Sequence, residues 1–271
     1  MKKELRYTVK KFPSSRQSTF DAGYIGIRKN RMNGLIELDV TRGRDALKGL
    51  RREKKISVSF TAWIIKCISQ AISENKEVHA VRKGKSKLII FDDIDVSVIV
   101  EKEINGEKVP LPLVIRKTNE KTVQDIHLEI RAAQEQEVKS EEDYLLGKND
   151  FKWTMKLYIS LPAFIRRFVM SYMFRQPFLI RNMSGTVAVT AVGMMGNVKG
   201  WPLPSSVIPA CFALGAVVKK PGVVDDRIEI RDYLYMTILL DHDVIDGAPA
   251  ARFVSRLSKL IESGWGLETL C

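Results

Sequence analysis

The stretch that decides the fold is Leu240-Asp241-His242-Asp243-Val244-Ile245-Asp246-Gly247. It joins an apolar run, Tyr233–Leu240, to a helical pattern. The chain has three histidines, and this one stands where a strand ends. A strand end exposes a reactive side chain, and an imidazole is the natural general base near pH 7. Asp246, four residues on, is placed to cap the following helix, and Gly247 permits a tight backbone path. One reading is catalytic: His242 takes a proton from a hydroxyl or thiol while a nearby carboxylate fixes its ring. The other is a structural histidine beside a capping aspartate.

Downstream, Ala250, Phe253, Val254, Leu257, Leu260 and Ile261 form one apolar helical stripe, with Pro249 in the first turn and Gly264 at the end. Upstream, Cys211–Val218 and Tyr233–Leu240 read as strands, with a turn at 223–226. Thr186–Thr190 is a short strand leading into the turn Val192-Gly193-Met194-Met195-Gly196. That turn lacks the Lys-Ser/Thr ending of a phosphate loop, which sets nucleotide hydrolysis aside. Leu35–Val40 alternates like a strand, and 42–53 reads as a charged helix. Phe60, Trp63, Ile64, Cys67, Ile68, Ala71 and Ile72 recur at helical spacing behind Ser59 as cap. Strands follow at Leu88–Phe91, Asp95–Val100 and Leu111–Ile115, with a turn at Asn105-Gly106, then a helix over Thr122–Val138. Residues 1–33 read as polar, basic and irregular, and 140–150 as a polar loop. Residues 151–181 mix apolar and basic side chains, with a helix beginning near Pro162. That helix packs on the domain or a partner subunit, or else lies on an anionic membrane. Strands and helices mix without strict alternation, which points to one α/β domain on a mixed sheet.

Bulk properties bound the function. The chain of 271 residues is 45% apolar and 28% charged, as an ordinary globular protein is. Cys67, Cys211 and Cys271 have no paired spacing, so neither a disulfide framework nor a metal site is expected. The start lacks a signal-peptide core and no apolar run is long enough to span a bilayer, so the cytoplasm is the expected location. Net charge is +12, and residues 1–55 hold 16 Lys or Arg against 6 Asp or Glu. Such a balance suits a polyanion, an anionic membrane or a phosphorylated ligand, or is simply a solvated face. No nucleic-acid-binding signature accompanies the charge, so nucleic acid is not the expected partner.

Residues Tyr235–Phe253 resemble the active-site segment of the 2-oxo acid dehydrogenase acyltransferases, the dihydrolipoyl acyltransferase cores of multienzyme complexes. Chloramphenicol acetyltransferase shares their His-x-x-x-Asp-Gly signature and fold. Thr190–Gly196 is similar to that family's Ser/Thr-Asn-Leu-Gly-x-x-Gly turn, and Pro209–Gly215 to the strand after it. The resemblance covers about residues 30–264 and is weakest over 140–181. It implies a single-domain open-faced α/β sandwich, a mixed sheet covered by helices. It divides the chain into a basic segment, 1–33, and a catalytic domain, 34–271, with no lipoyl or subunit-binding domain. It implies that His242 is the general base on an acceptor thiol attacking an acyl-coenzyme A thioester. Thr190 then stabilises the oxyanion and Asp246 holds the loop through an arginine of the N-terminal part. Asp241 and Gly247 orient the loop. Coenzyme A enters as substrate, its phosphates attracted by Lys and Arg. Histidine and hydroxyl come from different chains of a homotrimer, which can assemble into a larger cage and meet a lipoyl-bearing partner.

The chain also departs from that family. Asp243 replaces the arginine that usually follows the histidine, and a carboxylate there favours imidazolium. Ala191 replaces an asparagine, and Ser205-Ser206-Val207 replaces Ile-Ile-Asn. These changes leave the acceptor open and motivate an alternative: a catalytically impaired scaffold or oligomerisation core of the same fold. A third reading is a basic protein in peripheral contact with a membrane or polyanion through residues 1–55 and 162–181.

Overall fold

The computed structural model describes residues 7–9, 16–104, 107–136, 157–194 and 199–268. The expected turn at 105–106 and loop at 140–150 lie outside them. Six strands form one mixed sheet: β1 (Arg31–Asp39), β4 (Val96–Ile104), β5 (Glu107–Ile115), β6 (Val187–Ala191), β7 (Ala210–Val224) and β8 (Arg227–Asp241). Their order is β1-β8-β7-β6-β4-β5, and β2 (Val81–Lys83) pairs with β3 (Lys87–Ile89) as a separate ribbon. Only β4–β6 and β6–β7 are parallel. β7 and β8 form a long hairpin. Its turn carries Asp225 and Asp226 at positive φ, a conformation that aspartate tolerates better than most residues.

Helices α2 (Thr41–Glu53), α3 (Phe60–Glu74), α4 (Val123–Glu135) and α7 (Gly247–Ser263) supply the layer that packs on this sheet. Their starts and stops follow local chemistry. Ser59 Oγ accepts from the Ala62 N–H at 3.2 Å, and Thr122 and Asp125 make a reciprocal capping box. Gly264 ends α7 at φ 76°. Trp63, Ile64, Ile65 and Ile68 of α3 are fully buried against Phe253 and Leu257 of α7 and the strand side chains of β4, β7 and β8. Gly43 is required where α2 crosses Trp63, because a Cβ there would lie 2.1 Å from the indole.

Three expectations need correction. The N-terminal segment is not irregular throughout: Arg16–Gly26 is a helix, α1, and β1 begins at Arg31, ahead of the expected strand start. Helix α1 packs on α5 (Ala163–Met173), the helix expected after Pro162. Asp21 is fully buried and accepts from Arg166 Nε at 2.8 Å and Arg167 Nε at 3.2 Å. Tertiary ion pairing therefore orders a helix that has no apolar stripe of its own. Residues beyond Phe174 form a further helix, α6 (Pro177–Ser184), with Pro177 in its first turn. Arg181 of α6 ties it to the sheet through Asp93 and Asp95. No helix among the described residues is long and apolar enough to cross a membrane.

His79 is fully buried at the junction of β2, β4 and β6. Its Nε2 lies 3.1 Å from the Phe91 carbonyl, so that nitrogen carries the proton. Nδ1 then accepts from the Thr186 hydroxyl at 2.7 Å. Burial drives the imidazole pKa down to about 4, with Lys76 and Arg181 adding to the fall and the Phe91 carbonyl and Asp95 opposing it. The unfolded chain takes up this proton near pH 6.5, and the folded chain only near 4. The stabilisation is therefore whole above pH 6.5 and is lost as pH falls from 6.5 to 4, by roughly 3 kcal/mol. Urea midpoints measured from pH 7.5 to 4 are expected to fall more steeply in wild type than in His79→Asn.

Candidate active site

His242 follows the last residue of β8, and the loop around it is held by backbone and by Asp241. The His242 N–H donates to the Asn30 carbonyl at 2.9 Å, and the Asp241 N–H to the Pro209 carbonyl at 3.1 Å. The Asp241 carboxylate is nearly buried. It accepts from Lys29 Nζ at 2.9 Å and from the Asp243 N–H at 3.2 Å. The Val244 and Ile245 N–H groups then close a turn onto the Asp241 carbonyl. Asp241 thus fixes both ends of the loop, while the His242 side chain stays 42% exposed. Removing the cation as Lys29→Met leaves a buried carboxylate short of a partner, at a cost of about 1–3 kcal/mol. A calorimetric melting temperature below that of wild type is the expected result.

The remaining predicted residues are placed less simply. Asp246 stands at the N-cap position of α7, but its side chain makes no capping hydrogen bond. It is 88% exposed, with Oδ1 3.9 Å from His242 Nδ1. That is ion-pair range and too long for a hydrogen bond. The expected helix cap is therefore absent. Gly247 is the first helical residue, and an added Cβ would meet open space, so the fold of one chain does not demand glycine there. Asp243 is exposed beside His242.

Thr190 lies in β6, half-buried, with no hydrogen-bond partner for its hydroxyl among the described residues. The turn after it is positioned by close approach. Gly193 packs on β7 where a Cβ would lie 1.9 Å from the Gly215 carbonyl oxygen, next to the register shift between Leu214 and Val217. The ladder also gives Thr190 a level in the sheet. Thr190 pairs with Ala213, and Ala213 with Thr237. His242 is five residues beyond Thr237, so the two predicted residues stand on the order of 15–20 Å apart, counting strand rise and two strand spacings. One chain does not bring them together.

Two basic residues of this region escaped the sequence reading. Lys29 is the partner of Asp241. Arg31, opposite Asp241 in the β1–β8 ladder, donates to the carbonyls of Ser206, Ile208 and Pro209 at 2.7–3.0 Å. It holds the segment before β7 rather than Asp246. The basic run Arg28-Lys29-Arg31, read against a buried aspartate needing a cation, was the available signal. The two described cysteines are buried and reduced. Burial pushes both thiols up, Cys211 to about 11, so neither supplies a nucleophile at neutral pH.

The sheet order and the histidine loop at the end of its longest hairpin define a chloramphenicol acetyltransferase-like α/β core. Chloramphenicol acetyltransferase itself superposes with a TM-score of 0.50 at 12% identity, over 96% of this chain and 99% of that one. The chain belongs to the family described as 2-oxoacid dehydrogenases acyltransferase (catalytic domain), whose model matches residues 27–143 and 181–268. Among curated relatives, the lipoamide acyltransferase component of the branched-chain alpha-keto acid dehydrogenase complex of Bacillus subtilis (strain 168) is 25% identical over 234 residues. That match covers 84% of this chain and 46% of the relative, so the chain spans about half the length of the protein it matches. A probable dihydrolipoamide acetyltransferase from Listeria monocytogenes 4b F2365 superposes with a TM-score of 0.68 at 18% identity, over 96% of both chains. The cubic core of the pyruvate dehydrogenase multienzyme complex superposes at 0.65 and 14% identity, over 94% of this chain and 92% of that one.

Proposed function

We propose that the chain is a coenzyme A-dependent acyltransferase whose site is completed between subunits. The observation that carries this reading is the loop of His242: a half-exposed imidazole at a strand end, held by Asp241 and Asn30, within a family-matched segment. With Nδ1 turned toward Asp246, Nε2 is the nitrogen that takes the acceptor's proton. The acceptor thiolate attacks the thioester carbonyl, and the carbon–sulfur bond to coenzyme A breaks as the tetrahedral intermediate collapses. The departing thiolate recovers the proton from the imidazolium. The Thr190 hydroxyl of a neighbouring subunit donates to the oxyanion. The separation of His242 and Thr190 within one chain supports a closed homo-oligomer, a trimer in this reading, able to build a larger cage. A dihydrolipoyl group on a partner protein is the proposed acceptor.

The test is chromatographic measurement of coenzyme A and S-acetyldihydrolipoamide formed from acetyl-coenzyme A and dihydrolipoamide, since thioester exchange leaves the thiol count unchanged, alongside light scattering for assembly mass. Transfer by a trimer or a multiple of it is the expected result. An assembled protein as inert as its His242→Ala variant across several acyl chains and acceptors would identify a scaffold instead.

A further inference from the structure

A cavity of about 970 Å³ opens beside Asp241 and Asp243, the residues that flank His242. About half of its lining residues come from segments outside the family match. Tyr24 and Ile25 belong to α1, and Phe164, Phe168 and Tyr172 to α5, whereas the matched residues are 27–143 and 181–268. The β2–β3 ribbon supplies the facing wall. Phe164, Phe168 and Tyr172 recur every four residues, so they line one face of α5, and all three are more than half exposed. Around them stand Arg28, Arg82, Lys85 and Arg175, none with a carboxylate partner among the described residues. Lys29 and Arg167 also line the cavity but are already paired, with Asp241 and Asp21. Aromatic walls with convergent cations are the chemistry of a small-molecule pocket.

We propose that this cavity binds a phosphate-headed amphiphile, an alkyl or aryl phosphate, with its body on the α5 aromatics and its head among the four cations that lack carboxylate partners. A phosphate suits them better than a carboxylate, because it carries a charge of about −1.5 to −2 at neutral pH and three acceptor oxygens. The cations come from α1's C-terminal extension, from the ribbon and from the end of α5, so a head between them meets positive charge from several sides. Coenzyme A is the proposed substrate of the acyl-transfer site, and the titration below separates it from the ligand proposed for this cavity.

Calorimetric titration of the assembled protein with dodecyl phosphate below its micellar range tests the proposal, against dodecanol and inorganic phosphate. Saturable binding of dodecyl phosphate alone is expected, retained in His242→Ala and so independent of acyl transfer. Phe168→Ala is expected to weaken it about 10-fold by removing apolar contact. Lys85→Glu with Arg175→Glu is expected to weaken it by a similar factor at low salt and to flatten its salt dependence. These positions are exposed, and unchanged melting temperatures confirm that the variants fold. Equal binding of dodecanol, or unchanged affinity in both variants, overturns the site. So does coenzyme A displacing the probe with the same loss in the variants, which would give the cavity to coenzyme A. Retention on phosphatidylglycerol vesicles without binding of monomeric dodecyl phosphate would assign the aromatic stripe to a membrane surface. Loss of assembly in Phe168→Asp would assign it to contacts between copies. Either result overturns the proposal.

Discussion

His242→Ala in the assembled protein is expected to lower thiol-dependent acyl transfer by about 10³-fold, within the range that a positioned general base contributes. The expectation rests on what the side chain does and does not hold. The imidazole makes no structural hydrogen bond among the described residues. Its one ion-pair contact among the described residues is Asp246, at 3.9 Å. The loop is instead fixed by the His242 backbone N–H, which alanine retains, and by the Asp241 carboxylate. Stability and assembly mass should therefore stay close to those of wild type while turnover falls. The KM for the acyl donor should change little, because the base acts on the acceptor proton rather than on donor binding. Loss of assembly with loss of activity would make the histidine structural. Undiminished activity would remove it from the chemistry.

Much of this site was legible because periodicity and punctuation agree there. Asp246, Gly247 and Pro249 open a helix whose stripe runs from Ala250 to Ile261, and Gly264 closes it at a positive φ. The apolar runs of β6, β7 and β8 are central strands, and central strands show near-continuous hydrophobic sequence. Helix α3 carries so wide an apolar face that its spacing alone located it. What stayed hidden depends on distant partners. Helix α1 leaves Phe20 and Tyr24 exposed and buries Asp21, so its own pattern argues against burial until Arg166 and Arg167 arrive from α5. Lys29 is an ordinary basic residue until Asp241 comes up beside it across 212 positions. Asp246 shows the opposite error. The residue type suits a cap, yet its carboxylate faces solvent and His242 instead of the helix. Residue type suggested what each side chain can do, but the ladder decided what it meets.

That ladder also sets the second large effect. Thr190→Val is expected to lower turnover by about 10²–10³-fold, the usual loss when one oxyanion donor is removed. Valine has nearly the threonine shape and suits a strand, so β6 should keep its pairing with Ala213. The sharper result comes from mixing. Thr190 and His242 sit five residue levels apart across three strands, too far for one chain to place both at one carbonyl. If each site takes its imidazole from one subunit and its hydroxyl from the next, a mixed oligomer contains some sites with both groups intact. In a trimer reassembled at random from equal His242→Ala and Thr190→Val chains, about one site in four has the intact pair, since each site draws independently on two chains. Activity should return to about a quarter of wild type, from two parents that are each nearly inert. Co-expression of the two variants at equal levels with the same affinity tag on both chains, so that all trimers are recovered, followed by chromatographic measurement of acyl transfer, measures that recovery. A mixture no more active than its parents would place the hydroxyl and the imidazole in the same chain, whereas a fully active Thr190→Val parent would remove Thr190 from the reaction. Recovery near a quarter would locate the chemistry at the junction between copies, where neither His242 nor Thr190 alone makes a site.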